Sequence, residues 1–155
     1  ISFLFQYSED YKLVGAYESV LNAKEVLNRD LPDVVLLDID MPEMDGISAI
    51  PLIKETNPLI SVIMYTQFEH DEKLFNSFCA GADGYILKNT SPLKLFEAID
   101  EVRQGGVPLS PAVARKMLNF FQEKKTPKNK YGLTDREREV LQLLVKGYSV
   151  KLIAS

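Results

Sequence analysis

Hydrophobic positions change period along this chain. VVLLDI (residues 34–39) and LISVIMYT (59–66) are apolar almost without interruption, the pattern of strands buried on both faces of a sheet. GYILK (84–88) is a shorter run of the same kind, and KLVGAYES (12–19) has strand character through Val14, Ala16 and Tyr17. Between these runs the spacing turns helical. VLNAKEVLNRD (20–30) puts Val20, Leu21, Ala23, Val26 and Leu27 at helical intervals and is stopped by Pro32. ISAIPLIKET (47–56) predicts a helix with Pro51 near its first turn, where proline is tolerated. DEKLFNSFCAGA (71–82) predicts a third, closed by Gly81. SPLKLFEAIDEVRQGG (91–106) predicts a fourth that Ser91 caps, Pro92 opens and Gly105 ends, with Leu95, Phe96, Ile99 and Val102 on its apolar side.

The order β-α-β-α-β-α-β-α calls for a parallel sheet covered by helices on both faces. Beyond it, SPAVARKMLNFFQEKK (110–125) predicts a further helix, capped by Ser110 with Pro111 first. TPKNKYG (126–132) breaks the pattern as an interdomain linker. LTDREREVLQLLVKGYSVKLIAS (133–155) then begins a new helical unit. Thr134 and Glu137 stand in capping-box positions, Val140, Leu141, Leu143 and Leu144 form an apolar face, and Gly147 closes the helix. A second helix starts after Ser149.

Composition narrows this picture only a little. The chain has 155 residues, 46% of them hydrophobic, room for one domain and part of another. No apolar run is long enough for a membrane span and no secretory signal is visible. A single cysteine, Cys79, forms no internal disulfide, which fits a reducing cytoplasm; close after Phe75 and Phe78 it reads as a small core residue. The net charge of −4 argues against a nucleic-acid surface across the whole chain, and the basic stretch EKKTPKNK (123–130) reads as solvated linker. His70, the lone histidine, reads as a surface loop residue.

Three successive strands end in groups suited to chemistry: Asp38, Thr66 and Lys88. Parallel strands bring those ends to one edge, the crevice where open α/β sheets bind ligands. A carboxylate, a hydroxyl and an ammonium suit a phosphoryl group. The carboxylate is the nucleophile, the hydroxyl a hydrogen-bond donor to a phosphoryl oxygen, and the lysine offsets its charge. Mg²⁺ would relieve the meeting of two anions. The plainer alternative is that Asp38 caps a loop and Lys88 simply pairs with it.

LLDIDMPEMDG, VIMYT and AGADGYILK, in that order, resemble the receiver domain of a two-component response regulator, and the resemblance runs from about Lys12 to Gly106. The 133–155 stretch resembles the start of a LuxR-type helix-turn-helix domain of the NarL/FixJ subfamily. The resemblance implies a flavodoxin-like, doubly wound parallel sheet over residues 1–106, a linker with a helix over 107–131, and a partial all-α domain over 132–155. It implies that Asp38 is the phospho-acceptor, Thr66 the switch hydroxyl, Tyr85 the switch aromatic and Lys88 the phosphate-contacting lysine. Mg²⁺ would be held by Asp38 and the Asp40 main-chain carbonyl. Partners would be a sensor histidine kinase or small phosphodonor, a second copy on phosphorylation, and DNA in the full-length protein. Such a protein is cytoplasmic and no enzyme beyond weak self-dephosphorylation.

Two features depart from that family. Asn89 follows the lysine where proline is common. Receivers also open with a strand ending in an acidic pair, and roughly 40 residues would be needed before the acceptor for all the elements expected there. Only 37 precede Asp38, and ISFLFQYSEDY (1–11) reads through Ile1, Leu4 and Phe5 as the tail of a helix. Glu9 and Asp10 lie too close to the next strand to be that pair. The first strand and its acidic pair are therefore expected to be absent, leaving the metal site incomplete. The recognition helix is expected beyond Ser155, so that this chain binds no specific DNA site, and Arg136 and Arg138 read as solvated charges. Two rivals remain. LLDID also fits the D-x-D motif of haloacid-dehalogenase-like phosphatases, and a degenerate receiver could serve purely as an interaction module.

Overall fold

Strands apolar on both faces set the architecture. In the computed structural model, which describes residues 10–67 and 70–123 with Phe5, Ser8 and Glu137, the elements are α1 (Ala23–Asp30), β1 (Val34–Leu37), α2 (Gly46–Thr56), β2 (Ser61–Thr66), α3 (Asp71–Ala80), β3 (Gly84–Leu87), α4 (Pro92–Arg103) and α5 (Pro111–Glu123). The three strands form one parallel sheet in the order β1-β2-β3. Val62, Met64, Leu37 and Tyr85 point to one face, where they meet Leu27, Ile50, Ile53, Leu74, Phe75, Met117 and Phe120. Ile63 and Ile86 point to the other, against Leu95, Ala98, Ile99 and Val102 of α4. Both faces are thus covered, and the doubly wound parallel arrangement expected from the sequence is the one found.

The caps explain where most helices begin and end. Asp45 accepts the Ser48 N–H at 3.1 Å and starts α2, while Gly81, at φ 109°, ends α3 in the left-handed conformation that glycine tolerates. The Ser110 hydroxyl accepts from Val113 N–H at 3.2 Å, as a cap of α5 should. Ser91 stands at the N-cap of α4 but makes no side-chain capping bond, so Pro92 alone pre-sets that start. Pro51 falls in the second turn of α2, not near its first, and the helix runs through it.

One expected strand is not there. Residues 12–19 are irregular, with Leu13, Val14 and Tyr17 about half exposed. A strand needs a neighbouring edge to satisfy its backbone. Here the segment and β1 instead line a cavity of about 590 Å³, whose apolar wall includes Val14, Val20, Leu27, Val35 and Leu37. Tyr11, just before it, stacks on Phe96 of α4 at 5.0 Å, and burial with a nearby Asp100 carboxylate pushes its phenol up to about 12. Phe5 is helical, as the expected helix tail requires. Ile1, Leu4 and Glu9, the linker from 124, Arg136, Arg138 and the second unit apart from Glu137 lie outside the described residues.

Cys79 is exposed, not buried as its aromatic neighbours suggested. Leu74, Phe75 and Ser77 take the inner side of α3 and leave Cys79 facing outward, where partial burial still pushes its thiol up. His70 is exposed at the N-cap of the same helix.

A polar clip fixes how the strands start. Asp83, just before β3, accepts Val62 N–H at 2.7 Å and pairs with Lys54 of α2 at 2.6 Å, and Lys54 also donates to the Ile60 carbonyl at 2.8 Å. The Asp83 N–H returns a bond to the Val62 carbonyl at 2.7 Å. Because this carboxylate serves two donors on two elements, Asp83→Ala is expected to cost about 2 kcal/mol, in the range for hydrogen bonds to charged groups. The check is a urea midpoint shift at constant slope. A shift worth less than about 0.5 kcal/mol, the scale of a neutral surface change, would mean the clip is ornamental.

Candidate functional site at the strand ends

Register places the three candidate groups together. Leu37 pairs with Met64 and Thr66 with Leu87, so Asp38 and Lys88 each begin where their strand has just ended and flank the end of β2. β1 and β3 are two strand spacings apart, roughly 10 Å. A lysine side chain spans most of that gap, and the Lys88 ammonium donates to Asp38 Oδ2 across the end of β2. The pair is about one-third exposed on the lysine side and one-quarter on the aspartate side (33% and 26%). It therefore opens to solvent, as a group that must meet another molecule has to. Asp38 Oδ1 also accepts the Ile39 N–H at 2.8 Å, which fixes the carboxylate in its plane. Thr66 is fully buried between them, and the Lys88 N–H donates to its carbonyl at 2.8 Å.

Tyr85 and Asp40 are placed differently. Tyr85 lies three residues back along β3, opposite Met64, 1% exposed, with its N–H donating to the Pro108 carbonyl at 3.1 Å. The Asp40 side chain points to solvent at 60% exposure and pairs loosely with Lys73 of α3 at 3.5 Å. A general acid of the D-x-D phosphatase type would have to face the first aspartate's crevice, so this orientation speaks against that rival.

The loop after Asp38 is held by contacts that sequence reading did not weigh. Gly46 donates its N–H to the Ile39 carbonyl at 2.9 Å and lies so near β1 that a Cβ there would come within 1.8 Å of the Asp38 carbonyl oxygen. Glu43 adopts φ 70°, uncommon for a residue with a side chain, and its carboxylate accepts the Ser19 hydroxyl at 2.9 Å. The Ser48 hydroxyl donates to Asp45 at 2.7 Å and holds that carboxyl below the usual range. The Asp-Gly pair closing MPEMDG was the available signal for this loop; the Ser19 and Lys73 contacts leave none, being long-range.

Arranged this way, the site presents a fixed carboxylate oxygen to solvent beside a cation, with a buried threonine between. It can accept an electrophile that is itself anionic.

Comparison with known proteins follows the same lines. The family model described as "Response regulator receiver domain" matches residues 1–100, and that of "Bacterial regulatory proteins, luxR family" matches residues 132–155. The response regulator protein VraR of Staphylococcus epidermidis is 37% identical over 155 residues, all of this chain and 73% of that protein. Among solved structures, the RcsB response regulator of Salmonella typhimurium superposes with a TM-score of 0.69 at 26% identity, over 99% of this chain and 73% of that one. A DNA-binding response regulator of the LuxR family from Staphylococcus aureus does so with a TM-score of 0.60 at 28% identity, over 66% of this chain and 88% of that one.

Two outcomes follow from the loop. Gly46→Ala must push the Asp38 backbone aside and is expected to destabilise by about 2–3 kcal/mol, the usual cost of overpacking. Denaturant titration reads this, and an unchanged midpoint would show that the loop yields freely. Asp45→Ala should cost about 1 kcal/mol near neutral pH through loss of the cap. Because the folded carboxyl is depressed, that contribution is present above the unfolded carboxylate pKa and lost as pH falls through the depressed folded one. The stability curves of the two proteins should therefore converge in acid; a gap that persists there would assign the effect to something other than the ionised cap.

Proposed function

The chain belongs to the two-component response regulators that carry a LuxR-type DNA-binding domain, and we propose that within it Asp38 is the phosphoryl acceptor. The observation that carries this is the Lys88–Asp38 pair bridging two strands over the end of β2, where Thr66 stands. A sensor histidine kinase, or a small phosphodonor, supplies the phosphoryl group. An Asp38 carboxylate oxygen attacks phosphorus, the bond from phosphorus to the donor breaks, and an acyl phosphate remains on the chain. Lys88 then turns from the carboxylate to a phosphoryl oxygen, and the Thr66 hydroxyl donates to another. The acyl phosphate is a signal carried by the chain, and its slow hydrolysis is the only turnover involved.

Among the described residues no three His, Cys, Asp or Glu side chains gather as a metal cluster. Mg²⁺ nevertheless suits the donors present, since it takes one or two carboxylates and keeps its waters. Asp38 and the Asp40 main-chain carbonyl would hold it, and it would supply charge neutralisation for the incoming phosphoryl group.

With Thr66 drawn toward the phosphoryl group, Tyr85 and the surface formed by α3 and α4 shift, and the equilibrium between two states moves. The output is dimerisation or release of the LuxR-type unit for DNA, with α5 carrying the coupling. The receiver spans residues 1–106, the linker 107–131 and the DNA-binding unit begins at 132. No helix among the described residues is long and apolar enough to cross a membrane, and the cytoplasm, where the kinase's catalytic part works, is the proposed site of action.

Incubation with acetyl phosphate and Mg²⁺, read by intact mass, tests this. One phosphoryl adduct is expected on the wild-type chain and none on the near-isosteric Asp38→Asn. An adduct that survives in Asp38→Asn would place acceptance elsewhere. No adduct on the wild-type chain, folded and supplied with Mg²⁺, nor on a version extended at its amino end, would favour the interaction-module rival.

A further inference from the structure

The helix after the receiver does not stand apart from it. Val113, Ala114, Met117 and Phe120 recur at helical spacing on α5 and are all buried. Val113, Met117 and Phe120 enter the same core cluster as Tyr85, Leu74 and Phe75. The centre of the contact is aromatic. Phe120 stacks on Phe75 of α3 with ring centres 5.0 Å apart and planes 24° apart, and Phe121 meets the same ring edge-on at 5.2 Å. Just upstream, Pro108 and Leu109 run beside β3 like a strap. Leu109 bridges to Tyr85 in parallel, the Tyr85 N–H is bound by the Pro108 carbonyl, and a Cβ on Gly84 would come within 2.5 Å of the Pro108 ring. Tyr85 is 1% exposed, and its backbone is held by this strap.

The other end of the same contact reaches the acceptor loop. Lys73, two residues before Phe75 on α3, pairs with Asp40, two residues after Asp38. α3 therefore lies between the strand-end crevice and α5, touching both through side chains close in sequence.

We propose that α5 is an autoinhibitory clasp: Phe120 and Phe121, closed on Phe75, keep the Pro108–Leu109 strap over Tyr85 and hold the switch residues shut until Asp38 is phosphorylated. This rests on the receiver reading above. The clasp is intramolecular and uses residues that contribute nothing to phosphoryl chemistry. If α5 binds the shut state better than the open one, linkage is reciprocal. Loosening α5 must loosen Tyr85, and phosphorylating Asp38 must loosen α5.

Amide hydrogen exchange on the whole chain tests both directions. Without any phosphodonor, Phe120→Ala is expected to speed exchange across 113–120 and at the Tyr85 amide by about tenfold or more, from loss of the aromatic contact and its buried area. The amides of Val62, Ile63 and Met64 should keep their rates. If Phe120→Ala also loosens β2, Phe121→Ala, at the half-buried edge of the stack, gives the same comparison on an intact sheet. Faster exchange in α5 with Tyr85 unchanged overturns the clasp, as does no change in either. With acetyl phosphate and Mg²⁺, the wild type should show α5 and Tyr85 loosening together with the mass adduct. An adduct without loosening overturns the proposal. A chain that takes no adduct at all instead fails the phospho-acceptor reading, while the hold of α5 on Tyr85 is still decided by the phosphate-free comparison.

Discussion

The hydrogen-bond register of β2 with its two neighbours is the constraint on which the site rests. A parallel ladder fixes which residue lies across from which, and a slip by one residue would turn every side chain to the opposite face of the sheet. Here a slip would bury Tyr65 among α1, α2 and α3 and turn Met64 toward α4. It would also move Thr66 off the line between Asp38 and Lys88. The unbroken apolar run that fills two faces is therefore also what levels the strand ends. The Asp83 clip works on the same constraint from the other end. By binding Val62 N–H and Lys54 at once, it ties the start of β2 to the start of β3 and to α2. Core packing and polar pinning agree on one register, and the chemistry at the far edge inherits it.

Given that register, the ion pair between Lys88 and Asp38 suits a site at rest. Two partly exposed charges in contact gain modestly, since water competes for both. The pair orients the lysine without holding it tightly. The phosphoryl group proposed to join Asp38 would carry more negative charge than the carboxylate, which would give the ammonium reason to change partners. Asp40 and Lys73 repeat the theme one step outward, on the rim, with an exposed and longer contact. Charges at the crevice are thus graded from fixed to loose, from the Ile39-bound carboxylate to the solvent-facing Asp40.

Much of this was legible in the residues. Apolar runs without alternation gave strands with two covered faces, and their polar last residues gave the crevice. Helix positions followed from spacing, with a start off by a few residues where the cap was silent, as at Asn22, and a correct start at Pro92 even though Ser91 makes no capping bond. What was not legible was pairwise. The strand expected at 12–19 has the right composition, but a strand is a relation between two edges, and composition names only one of them. Cys79 lies between apolar neighbours in sequence, yet a helix turns by about 100° per residue, and α3 spends its inner side on Leu74, Phe75 and Ser77. The Gly46 contact with Asp38 and the Asp83 clip join residues that only folding brings together. The pairing of the Asp40 side chain with Lys73 is of the same kind.

A helix that follows a domain in sequence can be a tether or part of the domain's core, and the difference lies in what its apolar face touches. On α5 that face meets Phe75, and the strap leading to it meets Tyr85, so the core of the receiver is closed by residues from outside the alternating β-α pattern. Such closure has a thermodynamic consequence. A core completed by its own linker is at its best packed only while the linker stays, and any rearrangement of Tyr85 has to disturb packing of interior density. Interiors of that density switch between discrete arrangements rather than deform by degrees. Asp40 with Lys73, and Phe75 with Phe120, place one helix with a foot at the loop after Asp38 and another on α5, so a rearrangement at either end meets the same rigid element.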